Sequence, residues 1–251
     1  MVKGLRGFRD WFAGYEEQYT IIGGTACDLL FSESGLEFRA TRDIDMVLIL
    51  ESLTPEFGAR FWDYIKEASY EHRNKSTGEP QFYRFDKPQS DDYPFMIELF
   101  SRRLDSLSLP SDAVLTPLTI DTELSSLSAI LLNSDYYEFL KNGRILVDGV
   151  PVLNAAYLIP FKAKAWLDLS SKKLAGVSID SRDVRKHKND VFRISALLSP
   201  DTRVVLPDSI RSDIAAFVEA MKTETIDLKS LGVSAKGKED VLAAITAAYL
   251  T

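Results

Sequence analysis

Over residues 2 to 17, Leu5, Phe8, Trp11 and Phe12 recur at helical spacing and predict an amphipathic opening helix. The short apolar run Tyr19-Thr-Ile-Ile22 then reads as a strand ending at Ile21 and Ile22. Gly23-Gly24 breaks it ahead of a helix over Ala26 to Phe31. Asp43-Ile-Asp45 opens a second strand, which Met46 to Leu50 continue. Pro55 starts another helix, with Phe57, Phe61, Trp62, Ile65 and Ala68 along one side. Gln81 to Phe85 and Phe95 to Phe100 read as two further strands separated by a polar turn at Asp86 to Asp92. Strands and helices alternating in this way predict an α+β or α/β sheet of about four to five strands.

Residues 102 to 153 carry a weaker pattern. Ala129 to Leu132 and Ile145 to Val147 read as strands, and Asp148-Gly149 is a hairpin-type turn leading into Val150 to Leu153. Beyond this point the period is helical. Helices are expected over Asn154 to Leu169, Val184 to Leu198 and Ile210 to Met221, and over Val241 to Leu250 after a polar link at Ser234 to Asp240. No internal repeat or low-complexity tract is present. The shift in pattern predicts an α/β domain over residues 1–153 and a helical domain over residues 154–251, packed together around one cleft.

Composition narrows the class without naming a chemistry. The 251 residues, 45% hydrophobic and 27% charged, suit an ordinary globular protein. No apolar run approaches the roughly 20 residues that cross a bilayer. The segment Met-Val-Lys-Gly-Leu-Arg-Gly-Phe-Arg-Asp has no hydrophobic core of a secretory signal. A single cysteine, Cys27, cannot form an internal disulfide, which fits a reducing cytoplasm, and it reads as a small buried packing residue. Two histidines, His72 and His187, give no basis for a zinc site.

The net charge of −7 weighs against a protein that grips long nucleic acid over its whole surface. Arg182, Arg185, Lys186 and Lys188 could form a local patch for such a ligand. They could equally be the solvated face of a helix.

The chemistry is concentrated in two acidic strands and a glycine bend. Strand side chains alternate between faces, so Asp43 and Asp45 project to the same side, about 7 Å apart along the strand. Two carboxylates so placed repel each other, and a divalent cation bridging them removes that cost. Magnesium prefers a few carboxylates plus substrate phosphates. Pro94-Phe-Met-Ile-Glu-Leu-Phe100 supplies a third acid, Glu98, as its only charged residue, and a lone acid in an apolar strand calls for a partner. Glycines at 23 and 24 let backbone N–H groups approach a phosphate, and the helix N-terminus that follows favours negative charge. Thr25 can cap that helix or hydrogen-bond a triphosphate oxygen.

These residues together resemble the DNA polymerase β-type nucleotidyltransferase superfamily. The closer likeness is to its AbiEii-type branch, found in bacterial toxin–antitoxin and abortive-infection systems. The likeness rests on Gly23-Gly24-Thr25-Ala26, on Arg39, Thr41, Asp43 and Asp45, on Lys162, and on Lys186-His-Lys-Asn-Asp190, spanning residues 19 to 198. Eighteen residues separate Gly24 from Asp43, a longer gap than in the compact polymerase-like members, which favours the AbiEii-type branch.

The resemblance implies an α+β nucleotidyltransferase-type mixed sheet with flanking helices, followed by a helical C-terminal half. It implies two Mg2+ ions on Asp43, Asp45 and Glu98, with an NTP seated by Gly23, Gly24, Thr25 and Arg39. Lys162 would stabilise the transferring nucleotide, and Asp190 would act in the active site or orient the lysine. Lys164 lies about 200° further round the helix, so only one of the two lysines can face a cleft. Arg39 could instead brace the loop before Asp43, and Asp190 could be a surface residue paired with Lys186. By the same resemblance, the acceptor is a hydroxyl, such as a tRNA 3′ end, and a partner antitoxin would hold the activity in check. Two other outcomes stay open: a catalytically idle nucleotide-binding or regulatory module on the same fold, and a small-molecule (antibiotic) nucleotidyltransferase.

Overall fold

The computed structural model describes residues 2–71, 84–101, 130–131, 133–233 and 237–251. Among these residues the fold is α+β, with a six-stranded mixed sheet and a helical C-terminal half. The strands are β1 (Tyr19–Ile22), β2 (Asp43–Leu48), β3 (Arg84–Asp86), β4 (Met96–Phe100), β5 (Arg144–Val147) and β6 (Val150–Leu153). The helices are α1 (Leu5–Trp11), α2 (Gly23–Glu33), α3 (Pro55–Glu67), α4 (Ser134–Asn142), α5 (Ala155–Leu174), α6 (Ser181–Ile194), α7 (Asp208–Thr223) and α8 (Lys238–Tyr249).

The strands run in the order β3-β4-β2-β1-β6-β5. β2 lies antiparallel to β1 and parallel to β4, while β6 joins β1 in parallel through Ile21 and Val152. That last pairing makes six strands instead of the expected four to five. The hairpin β5–β6 turns at Asp148 and Gly149, both at positive φ, the backbone a tight two-residue hairpin requires.

The two faces of the sheet differ in chemistry. Ile44, Ile97 and Phe85 sit in register on one face, together with Tyr19 opposite Leu48. The rings of α1 and α3 cover this face: Phe57 stacks on Tyr19, while Phe61 and Trp62 meet Phe85 edge-on at 5.5 and 5.8 Å. Thr54 caps α3 by accepting from the Phe57 N–H, and Pro55 follows at its first turn. Since side chains alternate along a strand, Asp43, Asp45 and Glu98 belong to the opposite face.

The described residues form two compact units. One holds the residues up to 101 together with Arg144–Leu153. The other holds 130–131, 133–143 and Asn154–Thr251. Helix α4, which falls within the range expected for the first domain, therefore groups with the helical unit. Its Tyr136 meets Phe161 of α5 edge-on at 5.2 Å and donates to Asp213 of α7 at 3.0 Å. In the same unit, Asn154 caps α5 by accepting from the Tyr157 N–H, and Asp180 caps α6 by accepting from the Arg182 N–H.

Other departures from the periodicity are local. α1 ends at Trp11 rather than extending toward residue 17, because the chain closes turns at Phe12 and Tyr15. α2 begins at Gly23, earlier than the apolar stripe implies. β2 stops at Leu48, and Leu50 enters a short 3-10 turn. Ile130 and Leu131 are helical rather than extended. Residues 72, 81–83, 129, 132 and 234–236, on which parts of the expected strands, link and histidine pair fall, lie outside the described residues. Cys27 is fully buried in α2. Among the described residues no helix is long and apolar enough to cross a membrane.

Candidate active site

Strand pairing aligns one row of polar side chains across three neighbouring strands. Arg84 of β3 is the register partner of Glu98 in β4, and Glu98 is the partner of Asp45 in β2. Asp45 in turn pairs with Ile22, the last residue of β1, so the next residue, Gly23, abuts its carboxylate. Asp43 lies two positions along β2 from Asp45, on the same face. Asp43 and Asp45 are half-buried, whereas Glu98 is buried.

Gly23 adopts φ 70° where the chain passes from β1 into α2. A methyl group there would overlap Oδ2 of Asp45. A methyl at Gly24 would come within 2.6 Å of Thr41 Oγ1 and 3.7 Å of an Arg39 guanidinium nitrogen. The bend therefore touches both the acids and the 39–41 segment, and only bare backbone fits between them. Gly23→Ala is expected to destabilise the protein by about 3 kcal/mol, from a positive φ on an L-residue plus the displaced carboxylate. Urea unfolding measures this loss.

Thr25 departs from its expected role. It is fully buried, and its hydroxyl donates to the Asp43 carbonyl at 2.5 Å. It makes no helix-capping hydrogen bond. Its place is a brace between α2 and the start of β2, committed too deeply to seat a triphosphate. Arg39 lies over the Phe38 ring, 5.2 Å from its centroid, and beside Gly24.

Glu98 sits in a strongly perturbed environment. Burial, reinforced by the neighbouring Asp45 charge, pushes its carboxyl up to about 8. Arg84 pulls the other way, with Nε and a terminal nitrogen donating to Glu98 Oε1 at 2.9 and 2.7 Å. The folded protein thus retains a proton on Glu98 at pH values where the unfolded chain, at an ordinary 4.5, has released it. This stabilisation is complete below pH 4.5 and is lost as the pH rises toward 8. Thermal melts in EDTA are expected to show a melting temperature that falls from pH 5 to pH 8. Glu98→Gln should flatten that slope.

The donors suit a hard divalent cation, being carboxylates only, with bare glycine backbone against one of them. Among the described residues no three His, Cys, Asp or Glu side chains stand together as a ready-made metal cage. Magnesium does not require one, because it takes one or two carboxylates and completes its shell with water and substrate phosphates. Asp43 and Asp45 meet that need, while Glu98 carries Arg84.

Lys162 and Asp190 meet inside the helical unit. Lys162 of α5 and Asp190 of α6 are both buried, with Nζ 3.3 Å from Oδ2, and Arg193 stands 3.6 Å from the other carboxylate oxygen. Lys164 points elsewhere, to Asp168 at 3.1 Å and Asp213 at 3.3 Å. The candidate basic patch loses a member: Lys188 is buried and bound to Glu224 and the Thr225 carbonyl, whereas Arg182 and Arg185 are exposed. Arg84 and Arg193 carry no signal in the sequence, since each is defined only by the acid it meets across a sheet or between helices.

Comparison of the chain with descriptions of known protein families, with curated proteins and with solved structures gave no match.

Proposed function

We propose that the protein is a metal-dependent nucleotidyltransferase that moves a nucleoside monophosphate from an NTP to an acceptor hydroxyl. One observation supports this above the others: Asp43 and Asp45 share a face of β2, with Asp45 held between Glu98 and the Gly23 bend. A structural acid pair would gain nothing from a glycine bend pressed against it. A site that must admit phosphate oxygens beside carboxylates needs both, because the bend offers N–H donors and the acids offer cation ligands.

Asp43 and Asp45 would hold magnesium, which when bound supplies charge neutralisation at the reacting phosphate. Gly23 and Gly24 seat the triphosphate through backbone N–H groups, with Arg39 beside them. Glu98 in its ionised form, which grows as the pH rises toward 8, accepts the proton of the attacking hydroxyl. The new O–P bond forms at the α-phosphate as the bond to the β-phosphate oxygen breaks, and pyrophosphate leaves. By the resemblance, Lys162 stabilises the transferring nucleotide.

A tRNA 3′ end is the first acceptor to test. A protein or small-molecule acceptor fits the charge of −7 at least as well. Incubation with each α-labelled NTP, magnesium and either total tRNA or cell lysate should label an acceptor, and EDTA should abolish the label. Nucleotide binding with no transfer to any acceptor would instead favour an idle regulatory module.

A further inference from the structure

We propose that Thr25 is a positioning residue of the cation site: its hydroxyl fixes the Asp43 end of β2 against the first turn of α2, so that the carboxylates and the glycine bend keep one spacing. This rests on the nucleotidyltransferase proposal and adds a residue to it. Three consecutive residues at the start of α2 meet alternate residues of the segment that enters β2. Gly23 lies against Oδ2 of Asp45, Gly24 lies against Oγ1 of Thr41, and the Thr25 hydroxyl donates to the Asp43 carbonyl at 2.5 Å. The two glycines steer by close fit of bare backbone, and Thr25 adds a directed hydrogen bond.

The place of Asp43 in the chain gives this bond its leverage. Asp43 is the first residue of β2, and residues 36–42 before it belong to no helix or strand. Pairing with Met96 of β4 holds it from one side, and Thr25 holds it from the helix. Thr25 is fully buried, and a β-branched side chain has few χ1 choices, so the packing of α2 sets where the hydroxyl points. Thr25 therefore acts through Asp43 and touches neither cation nor nucleotide. Losing an outer partner of this kind typically costs about 10–100-fold in metal affinity, because the ligand it orients is no longer held in place.

Divalent binding by the nucleotide-free protein tests this role without any turnover, with Mn2+ as the titrant and its electron paramagnetic resonance signal as the readout. Thr25→Val keeps the shape but removes the hydroxyl, and it should weaken Mn2+ binding about tenfold in protein that circular dichroism shows to be folded. Thr25→Ser keeps the hydroxyl and should bind Mn2+ as wild type does. Should the valine variant fail to fold, Thr25→Ala takes its place, since alanine and serine differ only by that hydroxyl. Wild-type Mn2+ affinity in the variant without the hydroxyl, whatever its melting temperature, leaves Thr25 a strut and overturns the role. An equal loss of affinity in Thr25→Ser overturns it too. Asp45→Asn separates the two proposals: if it binds Mn2+ as tightly as wild type, the metal site itself is wrong.

Discussion

Asp45→Asn is expected to lower nucleotide transfer about 10³-fold, the scale on which a group aimed at developing transition-state charge is lost. The amide has almost the same shape, so the register with Glu98 and Ile22 and the contact with Gly23 should persist. It removes the charge that helps push Glu98 up, so the metal-free variant should be at least as stable as wild type above pH 7. Activity and stability therefore move in opposite directions. A residue that merely holds the fold cannot produce that combination, since its loss lowers both. Labelled transfer and thermal melts on the same preparation measure the two quantities. Transfer that survives in a well-folded Asp45→Asn protein would remove Asp45 from the chemistry and with it the proposed mechanism.

What the chain discloses by itself follows from how far each signal reaches. The Asp43-Ile-Asp45 alternation, the bend at Gly23 and the α3 stripe are local, so their period and turn chemistry could be read directly. The α+β class and the helical back half followed from the same local signals. The β6–β1 pairing through Val152 and Ile21 joins segments far apart in sequence, and no local period encodes it. The same holds for partners. Glu98 was legible as an acid in need of company, but the company includes Arg84, whose role exists only through the β3–β4 register. Thr25 misled for the opposite reason: a threonine at a helix start is a common cap, yet tertiary packing drew its hydroxyl to the Asp43 carbonyl. Lys188 shows the same override, because a lysine on a charged helix looks solvated until Glu224 covers it.

Removing the acid and removing the base of the Lys162–Asp190 pair should have unequal consequences. Asp190 is fully buried between two cations, Lys162 at 3.3 Å and Arg193 at 3.6 Å. Asp190→Ala takes away the carboxylate that Lys162 and Arg193 share and leaves the buried Lys162 ammonium in a poorly hydrated space, which is expected to cost about 3–5 kcal/mol. Lys162→Met leaves Asp190 facing Arg193, and methionine refills much of the volume of the lysine stem, so the expected cost is nearer 1–2 kcal/mol. Urea unfolding of the two variants at pH 7 measures the asymmetry, and equal losses would mean that Arg193 does not share the carboxylate. The same Lys162→Met protein, still folded at assay temperature, separates packing from chemistry. Lost transfer in a protein only slightly destabilised would show that the ammonium is needed for more than neutralising Asp190. Full transfer would reduce the pair to an internal strut of the helical unit, leaving the reaction to Asp43, Asp45 and the glycine bend.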